Sequence, residues 1–168
     1  MLDPADMLAV ARRLADVGAG SPPSDAQLRR AVSSAYYALF HKVVSAGTRR
    51  FMGPGTEARP GYNLIYRGFT HSRLKDVCKR LDVTPLAPRM QEQLGRRAVG
   101  QDMRDFAAGF VALQELRELA DYDPQAMFSH SDAIGSVEAA DRALQAFDRT
   151  ASEEQADVLA LMLVNSRA

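Results

Sequence analysis

Tryptophan is absent from this chain, cysteine occurs once and histidine three times in 168 residues. A lone cysteine, Cys78, excludes an internal disulfide framework and fits a reducing compartment. It is expected half-buried on a helix, not as a nucleophile. Three widely separated histidines with one cysteine lack metal-ligand spacing, so neither a metal nor a cofactor is expected. Long apolar runs are missing as well. "FAAGFVAL" and "VLALMLV" fall well short of the roughly 20 residues that cross a bilayer. The acidic start "MLDPADMLAV" has no basic region leading into an apolar one, so it does not read as a secretion signal. A cytoplasmic protein without a membrane partner is expected. Strand-like alternation is also nearly absent.

Net charge is zero, but its distribution is uneven. Residues 1–97 hold 16 Lys+Arg and 8 Asp+Glu, a balance of +8; residues 98–168 hold 5 and 13, a balance of −8. Most of the excess basic charge falls between Lys42 and Arg97. Such polarity either draws phosphate backbones to one face or draws two halves, or two protomers, together.

Apolar residues recur every three or four positions, the helical period. Asp3 and Pro4 open a helix expected to reach about Val17. After "GAGSPPSD", Ser24 or Asp25 caps a second helix over about 26–45, with Leu28, Val32, Ala35, Leu39 and Val43 on its core face. Residues 47–63, "GTRRFMGPGTEARPGYN", read as an exposed loop. The loop lacks the GxxxxGK[ST] order of a phosphate-binding loop. A helix over 71–81 and a small one near 89–97 follow. Met103, Phe106, Phe110 and Leu113 then mark a longer helix that Pro124 ends. Ser129, Ser131 or Asp132 caps a helix to about Arg149, and Ser152 with Gln155 forms a capping box for the last one. The expectation is an all-α up-and-down bundle of four to five main helices, one domain over 1–168.

Polar residues interrupt this pattern at two places. Arg117 continues the apolar series of its helix, and Asp121 lies one turn on, placed to neutralise it. On the second helix Arg30, Ser34, Tyr37 and His41 form a polar stripe beside the apolar one. A tyrosine and a histidine four residues apart present a hydroxyl donor and a titratable imidazole together.

The stretches "SSAYYALFH", "THSRLKDV" and "LRELADYDP", in that order, resemble the HEPN superfamily, in particular its bacterial group with an AYYAxFH helix and a later RxxADYD segment. The resemblance is strongest over 25–150. It implies a helical bundle that dimerises through its motif helices. It also implies either a metal-independent ribonuclease or a toxin paired with a nucleotidyltransferase-like antitoxin. The family's catalytic signature is an arginine followed, after four to six residues, by a histidine and often by a tyrosine two positions beyond. Arg117 matches the arginine, but Tyr122 stands at the histidine and Pro124 at the tyrosine. The next histidine, His130, lies beyond the proline. Tyrosine is a poor base near neutrality, where histidine is a good one. His41 and His71 match histidines of the family pattern and are the candidates to replace the missing one. "RGFTH" sets Arg67 four positions before His71, one short of the signature.

The remaining combinations carry less chemistry. "SHSD" at 129–132 points its side chains in different directions and is better read as a helix cap than as a triad. The paired arginines lack interleaved aromatics; Tyr62, Tyr66 and Phe69 beside Arg59 and Arg67 come nearest to a surface on which bases stack. Three functions follow. The first is an RNA-binding or protein-interaction module whose groove is lined by Arg30, Tyr37, His41, Arg117, Asp121 and Tyr122. The second is an active ribonuclease toxin using Arg117 with His41 or His71. The third is a structural dimer in which Arg117 and Asp121 only orient helices.

Overall fold

The computed structural model describes residues 3–16 and 21–164, and among these it contains eight helices and no strand. They are α1 (Pro4–Ala15), α2 (Asp25–Met52), α3 (Pro60–Gly68), α4 (His71–Leu81), α5 (Pro88–Leu94), α6 (Gln101–Tyr122), α7 (His130–Arg149) and α8 (Ser152–Leu163). The expected end of the first helix near Val17 lies outside the described residues.

Helices α1, α2, α6 and α7 form the bundle, and ion pairs and buried clusters give their directions. The start of α2 meets the end of α6, where Arg29 reaches the carbonyls of Ala120 and Asp123. Asp102 at the start of α6 pairs with Arg149 at the end of α7. Leu28 and Val32 share a cluster with Ala133, so α2 and α7 run together and α6 runs against both. Leu39, Val43, Phe106, Phe110, Val137 and Phe147 fill the space between them. Each such side chain contributes about 1.5–3 kcal/mol when fully buried. Gly109 lets α6 approach α7: a Cβ there would stand 2.9 Å from the Ala143 methyl.

The start signals act mostly as expected. Asp3 accepts from the Ala5 N–H at 2.9 Å, and Ser24 with Gln27 closes a full capping box on α2. Ser129 with Asp132 does the same on α7. The last helix differs. Ser152 is its first residue and makes no cap; its hydroxyl accepts from Arg50, and Gln155 donates to the Phe147 carbonyl at 2.8 Å. Tertiary partners outcompete the local box.

The expected loop over 47–63 is largely helix. α2 continues through Gly47 because that position needs no side chain: a Cβ there would stand 2.3 Å from Phe69 Cζ. Thr48 is buried and returns its hydroxyl to the Val44 carbonyl at 2.7 Å. The chain turns only at Gly53 and Gly55, both at positive φ, and Pro60 opens α3 at its favoured first-turn position. The small helix near 89–97 stops at Leu94, where Gly95 takes the left-handed conformation. Cys78 is fully buried rather than half-buried, and burial pushes its thiol far above the usual range. That is no setting for a nucleophile. No helix of the described residues is long and apolar enough to cross a membrane.

Candidate functional site

α2, α3, α4 and α6 bring one arginine, one carboxylate, four phenols and two imidazoles together around Tyr37. Arg117 enters from α6. Its Nη2 donates to Tyr37 Oη at 2.5 Å and to Tyr122 Oη at 3.3 Å. Its guanidinium carbon lies 5.2 Å from the centre of the Tyr37 ring and 5.1 Å from that of Tyr122, so the cation sits between two aromatic faces. Asp121 Oδ2 stands 2.7 Å from Nε, although that N–H is not aimed along the line, so the contact is ionic rather than a directed hydrogen bond. Ser33 donates to the other carboxylate oxygen.

The Arg117 side chain is 12% exposed and that of Asp121 22%. Burial works against the charge, but the Tyr37 hydrogen bond and the Asp121 carboxylate outweigh it, and the guanidinium is held above its ordinary pKa. Among the described residues Nη1 has no partner, and it is not among the buried atoms that lack one. One edge of the arginine therefore meets solvent. Tyr122, 72% exposed, forms the outer wall.

The two imidazoles border the same phenol. His41 lies 6.2 Å and His71 6.0 Å from Tyr37, centre to centre. His71 begins α4, stacks on Phe40 at 3.9 Å and joins the Tyr36 hydroxyl through Nδ1 at 2.6 Å. His41 joins the Tyr66 hydroxyl of α3 through Nδ1 at 2.5 Å. Burial lowers the pKa of both, and for His71 the nearby charge of Arg117 and the His41 ring add to the effect. Both rings are neutral at pH 7. Burial raises the Tyr36 phenol far above its ordinary value and also raises Tyr66, so both keep their protons.

This chain matches no protein-family model, no curated protein and no solved structure. The site therefore rests on its own geometry.

Tyr37, His41, His71, Arg117, Asp121 and Tyr122 of the sequence reading meet here. Arg30 and Ser34 do not. Arg30 is exposed and touches none of these groups; its neighbour Arg29 faces inward and ties the end of α6, bonding the carbonyls of Ala120, Asp123, Pro124 and Ala126. Ser33, not Ser34, holds Asp121. A strict four-residue step counted back from His41 through Tyr37 reaches Ser33 and Arg29, and that step would have found both. Tyr36 lies in the register of the core face, so periodicity alone assigns it to packing. Arg67 is exposed on α3 and bonds to none of the site residues. The suggested stacking surface fails, since Tyr62 and Phe69 are buried and Tyr66 is committed to His41.

The basic segment between Lys42 and Arg97 is also less free than its composition implied. Lys42 pairs with Asp148, Lys75 and Lys79 with Glu115, and Arg96 with Glu154 and Asp157. The charge polarity of the two halves is mostly spent within one molecule. Within this segment Arg50, Arg59, Arg67 and Arg97 are exposed and carry no ion pair among the described residues, Arg50 bonding the Ser152 hydroxyl instead.

Proposed function

We propose that this chain is a HEPN-like RNA-binding module of a toxin–antitoxin or defence system, with Arg117 as the phosphate contact. One observation carries the reading: a guanidinium clamped by two phenols and a carboxylate keeps a single edge open to solvent. Clamping removes the rotational freedom that binding would otherwise cost, and the Nη1 left open is a charged donor for one phosphate oxygen. Tyr122 offers an exposed ring for a neighbouring base. A homodimer fits the same reading, because Leu119 and Met127 are exposed at the end of α6 and in the turn beyond it. A nucleotidyltransferase-like antitoxin is the partner that the resemblance implies.

Fluorescence anisotropy with a labelled single-stranded oligoribonucleotide tests it. The expected result is an affinity that falls with salt, and a loss of about tenfold or more in Arg117→Ala, the worth of one charge-assisted phosphate contact. Equal binding by Arg117→Ala would end the proposal.

A second reading, an active ribonuclease, draws support from the two imidazoles beside Tyr37, the side-chain type that proton transfer near neutrality uses. RNA cleavage by the purified chain that vanishes in Arg117→Ala would favour it.

A further inference from the structure

Two phenol–imidazole pairs hold the rings beside Arg117, and the position of their protons decides what those rings can do. Tyr36 is wholly buried, and among the described residues its hydroxyl bonds only to His71 Nδ1. If Nδ1 were the donor, the Tyr36 O–H would be buried without an acceptor, at a cost of about 1–3 kcal/mol. Tyr36 therefore donates and Nδ1 accepts. The half-buried Tyr66 meets His41 Nδ1 at 2.5 Å, and where the Ser45 hydroxyl donates to the phenol on its other side, the Tyr66 O–H is left for Nδ1. Among the described residues neither imidazole Nε2 has a partner, and neither is among the buried atoms that lack one. Each ring thus meets solvent through Nε2 alone.

We propose that Tyr36 and Tyr66 lock both imidazoles with the proton on Nε2, so that His71, His41 and Arg117 Nη1 form a donor-only receptor for an RNA phosphodiester. The proposal rests on the RNA-binding reading and gives it a consequence. Cleavage needs an open imidazole lone pair to take the 2′-OH proton. Here each Nδ1 lone pair is occupied by a phenol and each Nε2 already carries hydrogen. The receptor holds the phosphate and lacks a base to activate the neighbouring hydroxyl. Asp121 does not serve either, since Ser33 and Arg117 occupy its two oxygens.

Long-range proton–nitrogen correlation spectra of the nitrogen-15-labelled chain, which has three histidines, read the tautomers directly. At pH 7.5 the expected pattern for His41 and His71 is a bare Nδ1 and a protonated Nε2, with the Nε2 signals shifting when oligouridylate is added. A proton on Nδ1 of either ring overturns the lock. Tyr66→Phe, at a half-buried position, should let His41 spread over both tautomers; an unchanged His41 pattern also overturns it. His41→Ala and His71→Ala should each weaken oligouridylate binding about tenfold or more, the worth of one hydrogen bond to a charged group. Phosphodiester cleavage by the wild-type chain at neutral pH sinks the donor-only assignment even where binding persists. Correct tautomers without any oligouridylate binding sink the receptor and the RNA-binding reading while leaving the proton positions established.

Discussion

Arg29 and Arg30 are identical in chemistry and adjacent in sequence, yet the turn of α2 gives them different work. Arg29 satisfies four carbonyls at and beyond the end of α6 and pairs with Asp25 at 2.7 Å. Those carbonyls would otherwise lie unpaired at the negative end of the helix dipole. Arg29→Ala should therefore cost about 1–3 kcal/mol and loosen residues 120–126, whereas Arg30→Ala should stay within about 0.5 kcal/mol of wild type. Urea denaturation of the two variants makes the comparison. The histidines supply a second residue-scale expectation. Their folded pKa values lie below the unfolded value near 6.5, so the unfolded chain binds protons first as pH falls. Their contribution to stability is complete above about pH 6.5 and is lost as pH falls from there through the lowered folded values. Thermal melts between pH 8 and pH 5 should show Tm falling with pH, and less steeply in His41→Gln and His71→Gln. A wild-type Tm that rises on acidification would contradict this sign.

Glycine separates local propensity from tertiary demand at the scale of the element. Gly47 and Gly135 both lie inside helices, and alanine is the better helix former by about 1 kcal/mol. At Gly135 no atom lies within 4 Å of an added Cβ, so Gly135→Ala should stabilise the protein by about 0.5–1 kcal/mol. At Gly47 the Phe69 ring fills the space, and Gly47→Ala should destabilise by about 1–3 kcal/mol despite its propensity. Denaturant midpoints of opposite sign are the expected outcome. Reading Gly47 as a helix breaker followed from propensity alone. The glycine is there because α2 and the segment before α4 press together. Ser152 teaches the same lesson at a helix start, where Arg50 and the Phe147 carbonyl take the groups a capping box would use.

Across the whole molecule, the basic half and the acidic half close on one another. Glu154 of α8 is the most enclosed of these links: it accepts from the Gly100 N–H at 2.9 Å and from Arg96 at 3.1 Å. One carboxylate thus fastens the last helix to the start of α6 and holds the segment after α5 beside both. Removing it leaves Arg96 with Asp157 and the Leu94 carbonyl, and leaves the Gly100 N–H without its acceptor. Glu154→Ala should cost about 1–3 kcal/mol, and hydrogen exchange should quicken first in α8 and in the opening turn of α6. Uniform quickening across the bundle would show that α8 is not a separable unit.

Apolar periodicity determined the all-helical class, the faces of α2, α6 and α7, and the pairing of Arg117 with Asp121, because these depend on neighbours within four residues. The ends of the helices were legible wherever a cap is local, as at Asp3, Ser24 and Ser129. Tertiary structure decided the rest: that α2 continues to Met52, that Arg29 and Ser33 rather than Arg30 and Ser34 serve the site, and that phenols from α2 and α3 take the Nδ1 atoms of His71 and His41. Each of those outcomes turns on a partner 22 or more positions away. The sequence states which side chains exist, and packing selects which of them can meet.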